Sequence, residues 1–97
     1  AVIGGLLGSG IGSSLDRADL AYAANAGERA HSAPVGETVS WNNPNSGHSG
    51  SITPVREGRS TSGRYCREYE QEIYVDGRRE TAVGTACQNS DGTWAVI

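Results

Sequence analysis

Lysine, methionine and phenylalanine are absent from this chain of 97 residues. All eight basic residues are arginines, so no lysine is available as a nucleophile or Schiff-base former. Cysteine is scarce: Cys66 and Cys87 are the two present, and histidine also occurs only twice. The two cysteines lie far from C-x-x-C spacing, which disfavours a redox pair or a metal site and favours a disulfide. The formal net charge of −3 argues against nucleic acid as a partner. No apolar run reaches the about 20 residues that a membrane-spanning helix needs. No basic segment precedes the first apolar run, so no signal peptide is visible. These scarcities leave little from which to build a catalytic site, and no enzyme activity, cofactor or metal is expected.

What is present begins with residues 1–15, AVIGGLLGSGIGSSL, which carry neither charge nor proline. Gly4, Gly8 and Gly12 recur every fourth residue and would share one face of a helix. Small residues at that spacing let two helix backbones approach closely in a membrane. As a helix the stretch would extend ~22 Å, against the ~30 Å of a bilayer core. It therefore reads as half of a helical hairpin or as an oligomer-packing helix, with a Gly/Ser linker as the alternative. The chain divides into a glycine-zipper and helical segment, 1–33, and a β domain, 34–97.

Residues 16–33 are polar and alanine-rich, with Ser13 or Ser14 as a candidate helix cap and Asp16 in the first turn. Gly27 is a candidate break or C-cap, and His31 reads as an exposed histidine at the helix end. Pro34 opens a different pattern. Val39 and Trp41 alternate with polar residues as on a strand, 42–51 is loop chemistry, and Pro54 confines a short second strand to an edge or a bulge. EGRSTSGR, 57–64, reads as a turn or loop. Trp41 and Trp94 are assigned to the core.

Residues 64–88 carry the strongest local signal. Asp76-Gly77 between two β-rich runs predicts a hairpin. With a two-residue turn there, Val75 faces Arg78, Tyr69 faces Gly84, and Cys66 faces Cys87. The cysteines fall in a non-hydrogen-bonded pair, with Cα atoms ~4.5 Å apart and within disulfide reach. A helix over 64–74 competes, since Tyr65, Tyr69 and Ile73 also fit a helical face. A disulfide here implies an oxidising compartment.

Catalytic motifs are weak. Gly47-His48-Ser49-Gly50 lacks the spacing and the strand-to-helix setting of a hydrolase elbow. Glu68, Glu70 and Glu72 alternate on one strand face near Arg79 and read as a solvated, salt-laced surface. Arg56, Arg59, Arg64 and Arg67 cluster in sequence and are candidate contacts for lipid phosphates or an acidic partner.

The order of Trp41-Asn42-Asn43-Pro44, Ser46-Gly47, Thr53-Pro54, Cys66-Arg67-Glu68-Tyr69, Gly84-Thr85-Ala86-Cys87, Asp91-Gly92 and Trp94, behind the glycine segment, resembles the rickettsial 17-kilodalton surface antigen family of outer-membrane lipoproteins. The resemblance covers nearly the whole chain. It implies an exported lipoprotein anchored upstream, with a glycine-rich double helix ahead of a small β domain. The lipid-attachment cysteine and the first half of the zipper are not in this sequence, so lipidation is an implication of the resemblance alone.

The resulting expectation is an α+β fold: an N-terminal glycine-zipper helix, then a small antiparallel sheet with a Cys66–Cys87 disulfide. The expected role is a structural or interaction protein of the bacterial outer membrane, a subunit of a larger or repeated assembly, its β domain periplasmic or surface-exposed. Its partners would be the membrane and other protein chains, or copies of itself, through the glycine helix. The alternative is a binding module for peptidoglycan or lipid headgroups, through the 43–50 loop or the arginine cluster.

Overall fold

A computed structural model of the protein describes residues 14–97. Gly4, Gly8 and Gly12, and with them the helix-packing expectation, lie outside the described residues. One helix, α1 (Arg17–Ser32), precedes five strands: β1 (Val39–Asn42), β2 (Ser49–Arg59), β3 (Tyr65–Val75), β4 (Arg78–Gln88) and β5 (Trp94–Val96). The strands form one antiparallel sheet in sequence order.

The helix begins at Asp16, not at Ser13 or Ser14. Asp16 accepts from the Asp19 N–H (2.8 Å), and Asp19 reaches back to the Asp16 N–H (3.2 Å). This reciprocal capping box satisfies two donors at once, which a lone serine cap does not. Nor does Gly27 end the helix; it lies on the buried face with Ala23, Ala26 and Ala30, and the helix ends at Ala33, just before Pro34. Small residues along that face let the backbone settle close to the sheet. Leu15, Val39, Trp41, Ile52, Tyr69, Ile73, Val75 and Ala86 complete the same core. Among the described residues, no helix is long and apolar enough to cross a membrane.

The β3–β4 hairpin has the anticipated register. Val75 pairs with Arg78, Tyr69 with Gly84 and Cys66 with Cys87. Asp76 and Gly77 have φ of 51° and 80°, as a two-residue type I′ turn requires. The cysteines form a disulfide with Cα atoms 4.0 Å apart. Pro54 sits at a register shift between Pro54 and Arg56, the bulge that a proline in a strand invites. The second strand is much longer than expected. It absorbs residues 57–59, because Glu57, Gly58 and Arg59 pair with Arg67, Cys66 and Tyr65. The turn is thereby reduced to residues 60–64.

Two aromatic assignments divide. Trp41 is buried in the core, whereas Trp94 is half-buried at its margin. His31 is not exposed. Its ring stacks on Trp94 with centroids 4.5 Å apart, and its Nδ1 lies 2.7 Å from the Tyr69 hydroxyl. The helix end lies down on the sheet instead of projecting into solvent, and the histidine is carried into the interface.

Candidate functional site

The four arginines adjacent in sequence do not form one patch. Period-two alternation and the bulge send them to different places. Arg56 points to the face away from the helix and pairs with Glu68. Arg67 points to the helix side and is only 3% exposed. Its guanidinium donates to the carbonyls of Ala30 (2.9 Å), His31 (2.6 Å) and Ala33 (2.5 Å). They lie at the helix end, where carbonyls run short of internal donors; the Ala30 carbonyl also accepts the Ala33 N–H (3.2 Å). Its Nε has no hydrogen-bond partner and lies 3.6 Å from Glu57 Oε1. Beneath it, burial pushes the Tyr69 hydroxyl up to about 12, so Tyr69 stays protonated as a neutral partner for His31. Arg67 therefore fastens the helix to the sheet and is withdrawn from any surface contact.

Arg59 and Arg64 do share a surface. With Tyr65, Asn89 and Asp91 they line an open depression at the end of the sheet that carries the disulfide. Arg64 donates to Asn89 Oδ1 (2.9 Å), and Arg59 donates to the Gly63 carbonyl (3.0 Å). Hydrogen bonds to Thr93 hold Asp91 below the usual carboxylate range. The depression thus carries both signs of charge.

A second cluster gave no signal as a motif. Asp19, fully buried, gathers donors from Asn43 Nδ2 (2.8 Å), Ser46 Oγ (2.7 Å) and His48 Nδ1 (2.7 Å). Burial alone would raise its pKa. The bonds from His48, Ser46, Asn43 and the Asp16 backbone outweigh burial and hold the carboxyl well below its ordinary range. The same contact raises His48; partial burial opposes the shift, and Asp76, 3.4 Å from Nε2, adds to it. Chemically this is a structural clamp on the 43–48 loop. Ser46 donates to Asp19, not to His48, and a carboxyl held so far below its ordinary range is a weak base for activating a serine. The sequence clue was the concentration of Asn, Ser and His in 43–48, which reads as loop chemistry until a buried carboxylate is placed beneath it.

The third feature is an edge. β5 pairs with β4 only at Ala86, Cys87 and Gln88, and the Ile97 N–H donates to the Thr85 carbonyl (2.9 Å). From Arg79 to Val83, no described residue pairs with the outer side of β4. Val83 is 71% exposed.

Among the described residues, no group of three or more His, Cys, Asp or Glu side chains is arranged to hold a metal. What the geometry defines is a small helix-on-sheet domain, stapled between neighbouring strands and offering surfaces and a strand edge. Residues 21–95 match the family described as 17 kDa outer membrane surface antigen. The chain is 41% identical over 88 residues to the 17 kDa surface antigen of Rickettsia bellii, covering 90% of this chain and 55% of that protein. It is 40% identical over 84 residues to that of Rickettsia conorii, covering 86% and 53%. The chain spans about half the length of the curated relatives it matches. No solved structure matches. The chain belongs to the 17 kDa outer membrane surface antigen family.

Proposed function

We propose that the protein is a structural and interaction lipoprotein of the bacterial outer membrane, acting as a subunit of a larger or repeated envelope assembly. Family membership supports the surface or outer-membrane location. The observation that carries the assembly role is the uncovered outer edge of β4 from Arg79 to Val83. A strand edge of this kind is a template for pairing with another chain. The disulfide suits an oxidising compartment, and the spacing of Gly4, Gly8 and Gly12 in the sequence is one that would suit close helix packing. The test is sedimentation of the full chain in mild detergent. Association at micromolar concentration is expected, and a strict monomer would refute the reading.

A second reading, a binding module for peptidoglycan or lipid headgroups, is favoured by the depression that Arg59 and Arg64 line. Its test is co-sedimentation with purified cell wall or with anionic vesicles. Arg59→Ala and Arg64→Ala should abolish binding if the depression is the site.

A further inference from the structure

We infer that the outer edge of β4 pairs antiparallel with the same edge of a second copy, about a two-fold axis through Thr81, so that two sheets become one. This rests on the assembly reading above and names its partner. The argument starts from the turn. Val75 and Arg78 close a two-residue turn and so exchange hydrogen bonds with each other. Every second residue from Arg78 then directs its N–H and C=O to β3, and Arg79, Thr81 and Val83 direct theirs outward. The Ile97 N–H on the Thr85 carbonyl confirms this phase, because Thr85 is the next outward residue.

The free length is therefore bounded on both sides, by the turn at Gly77 and by the capped carbonyl of Thr85. Its outward residues are 79, 81 and 83, centred on Thr81. An antiparallel pairing about that centre sets Thr81 against Thr81, and Arg79 against Val83 in both directions. Every outward N–H and C=O of the three residues then finds a partner. A threonine pair at the centre suits a cross-strand position.

Side-chain charge agrees with that register. Arg79, Thr81 and Val83 share the sheet face turned away from the helix, with Glu68, Glu70 and Glu72. Glu68 pairs with Arg56, and Glu72 with Arg79 (2.7 Å). Glu70 is exposed and has no cationic partner among the described residues. It sits beside Val83, so the pairing brings Arg79 of the second copy next to it across Val83. The stem of that arginine would cover the exposed valine.

The other edges are guarded, which is why the proposal commits to β4. On β2 the Pro54 carbonyl is taken by the Gly36 N–H, and a bulge follows. Further along, the positions on β2 whose backbone faces outward are the charged Glu57 and Arg59, and charged residues discourage edge pairing. On β1 the Ser40 carbonyl is reached by Arg29. β4 has no proline and no bulge, and its register is regular throughout.

The test uses the full chain in mild detergent. Thr81→Pro removes an outward N–H that no internal pair uses, so the fold should persist while dimerisation weakens at least roughly tenfold. Thr81→Cys should form a disulfide-linked dimer on oxidation, because facing residues in a hydrogen-bonded pair lie ~5.5 Å apart. Val83→Cys should not, because it faces Arg79 of the other copy. If Thr81→Pro fails to fold, the cysteine pair decides alone. No link through Thr81→Cys, or an equal link through Val83→Cys, overturns the pairing, as does an edge occupied by a strand of another protein. If the chain still associates in that case, the assembly reading stands without this interface. A strict monomer removes both.

Discussion

Arg67→Met tests whether a buried arginine, rather than apolar contact, fastens the helix end. The substitution keeps most of the side-chain volume and removes the guanidinium. The carbonyls of His31 and Ala33 then lose the guanidinium inside a closed interface, and that of Ala30 keeps only the Ala33 N–H. Hydrogen bonds to charged groups are each worth ~1.5–3 kcal/mol, so the simple sum would be large. Part of it is offset because the charge no longer has to be held out of water. Each buried carbonyl left unsatisfied costs about 1–3 kcal/mol, which sets the expected net loss at about 3–5 kcal/mol. Against a total of roughly 5–10 kcal/mol for a domain of this size, that is close to half or more. The Tm should fall by roughly 15–30 °C, measured by circular dichroism. Arg67→Lys should recover only part of it, because one ammonium cannot span carbonyls that a planar fork reaches together. A loss below ~1 kcal/mol in urea unfolding would refute the reasoning and return the helix attachment to the alanine face.

Three further outcomes follow from other parts of the fold. A Cβ added at Gly50 would lie 2.5 Å from Trp41 Nε1 and 2.6 Å from the Glu72 carbonyl; Gly50→Ala should cost about 1–3 kcal/mol through overpacking, read from urea midpoints. Replacing both Cys66 and Cys87 by serine opens a link across 21 residues of chain. By the chain-entropy model it should cost ~3 kcal/mol, and a reducing agent should destabilise the native protein but not this variant. The Asp19–His48 clamp sets a pH window. His48 is raised in the fold, so its contribution is complete below about pH 6.5 and is lost as pH rises through the raised value. Asp19 is lowered, so its contribution is complete above about pH 4 and is lost only in strong acid. The stability gap between native protein and His48→Gln, measured by urea unfolding, should be wide at pH 5–6 and narrow in mildly alkaline buffer; a gap constant across that range would exclude the clamp.

The hairpin was legible because its information is local. Asp76-Gly77 fixes the turn type, the turn type fixes which residues face each other, and the cysteines then either meet or do not. Nothing beyond residues 66–87 is needed. The cap is less legible for a related reason: Asp16 reads as a first-turn acid behind Ser13 or Ser14, and only its mutual bonds with Asp19 single it out as the cap. His31 and Arg67 read as surface groups, and Asp19 carries no signal of its own, because their burial depends on another element passing over them. Charge and polarity normally predict exposure, and each of these residues is an exception maintained by partners distant in sequence. Tyr69 is 38 positions from His31, and Asn43 is 24 positions from Asp19. The β4 edge was illegible in a different way. Strand lengths follow from pairing, so an unpaired stretch emerges only once the described pairing of β5 is known to meet Ala86, Cys87 and Gln88 alone.

Those buried polar groups have a common logic. The helix face against the sheet is Ala23, Ala26, Gly27 and Ala30, which permits close approach but supplies few knobs to lock a position along the axis. Alanines sliding over a sheet by a fraction of a turn would lose little packing. Directional bonds would be lost at once. Asp19 ties the first turn to the 43–48 loop, and Arg67 ties the last carbonyls to β3, so each end of the helix is held to a different part of the sheet. Anchors of opposite charge also match the helix dipole, with the carboxylate at the amino end and the guanidinium at the carboxyl end. Two charges are kept from water in a domain with a small core because they specify where the helix lies. That placement leaves the opposite face of the sheet, with Glu70, Thr81 and Val83, exposed.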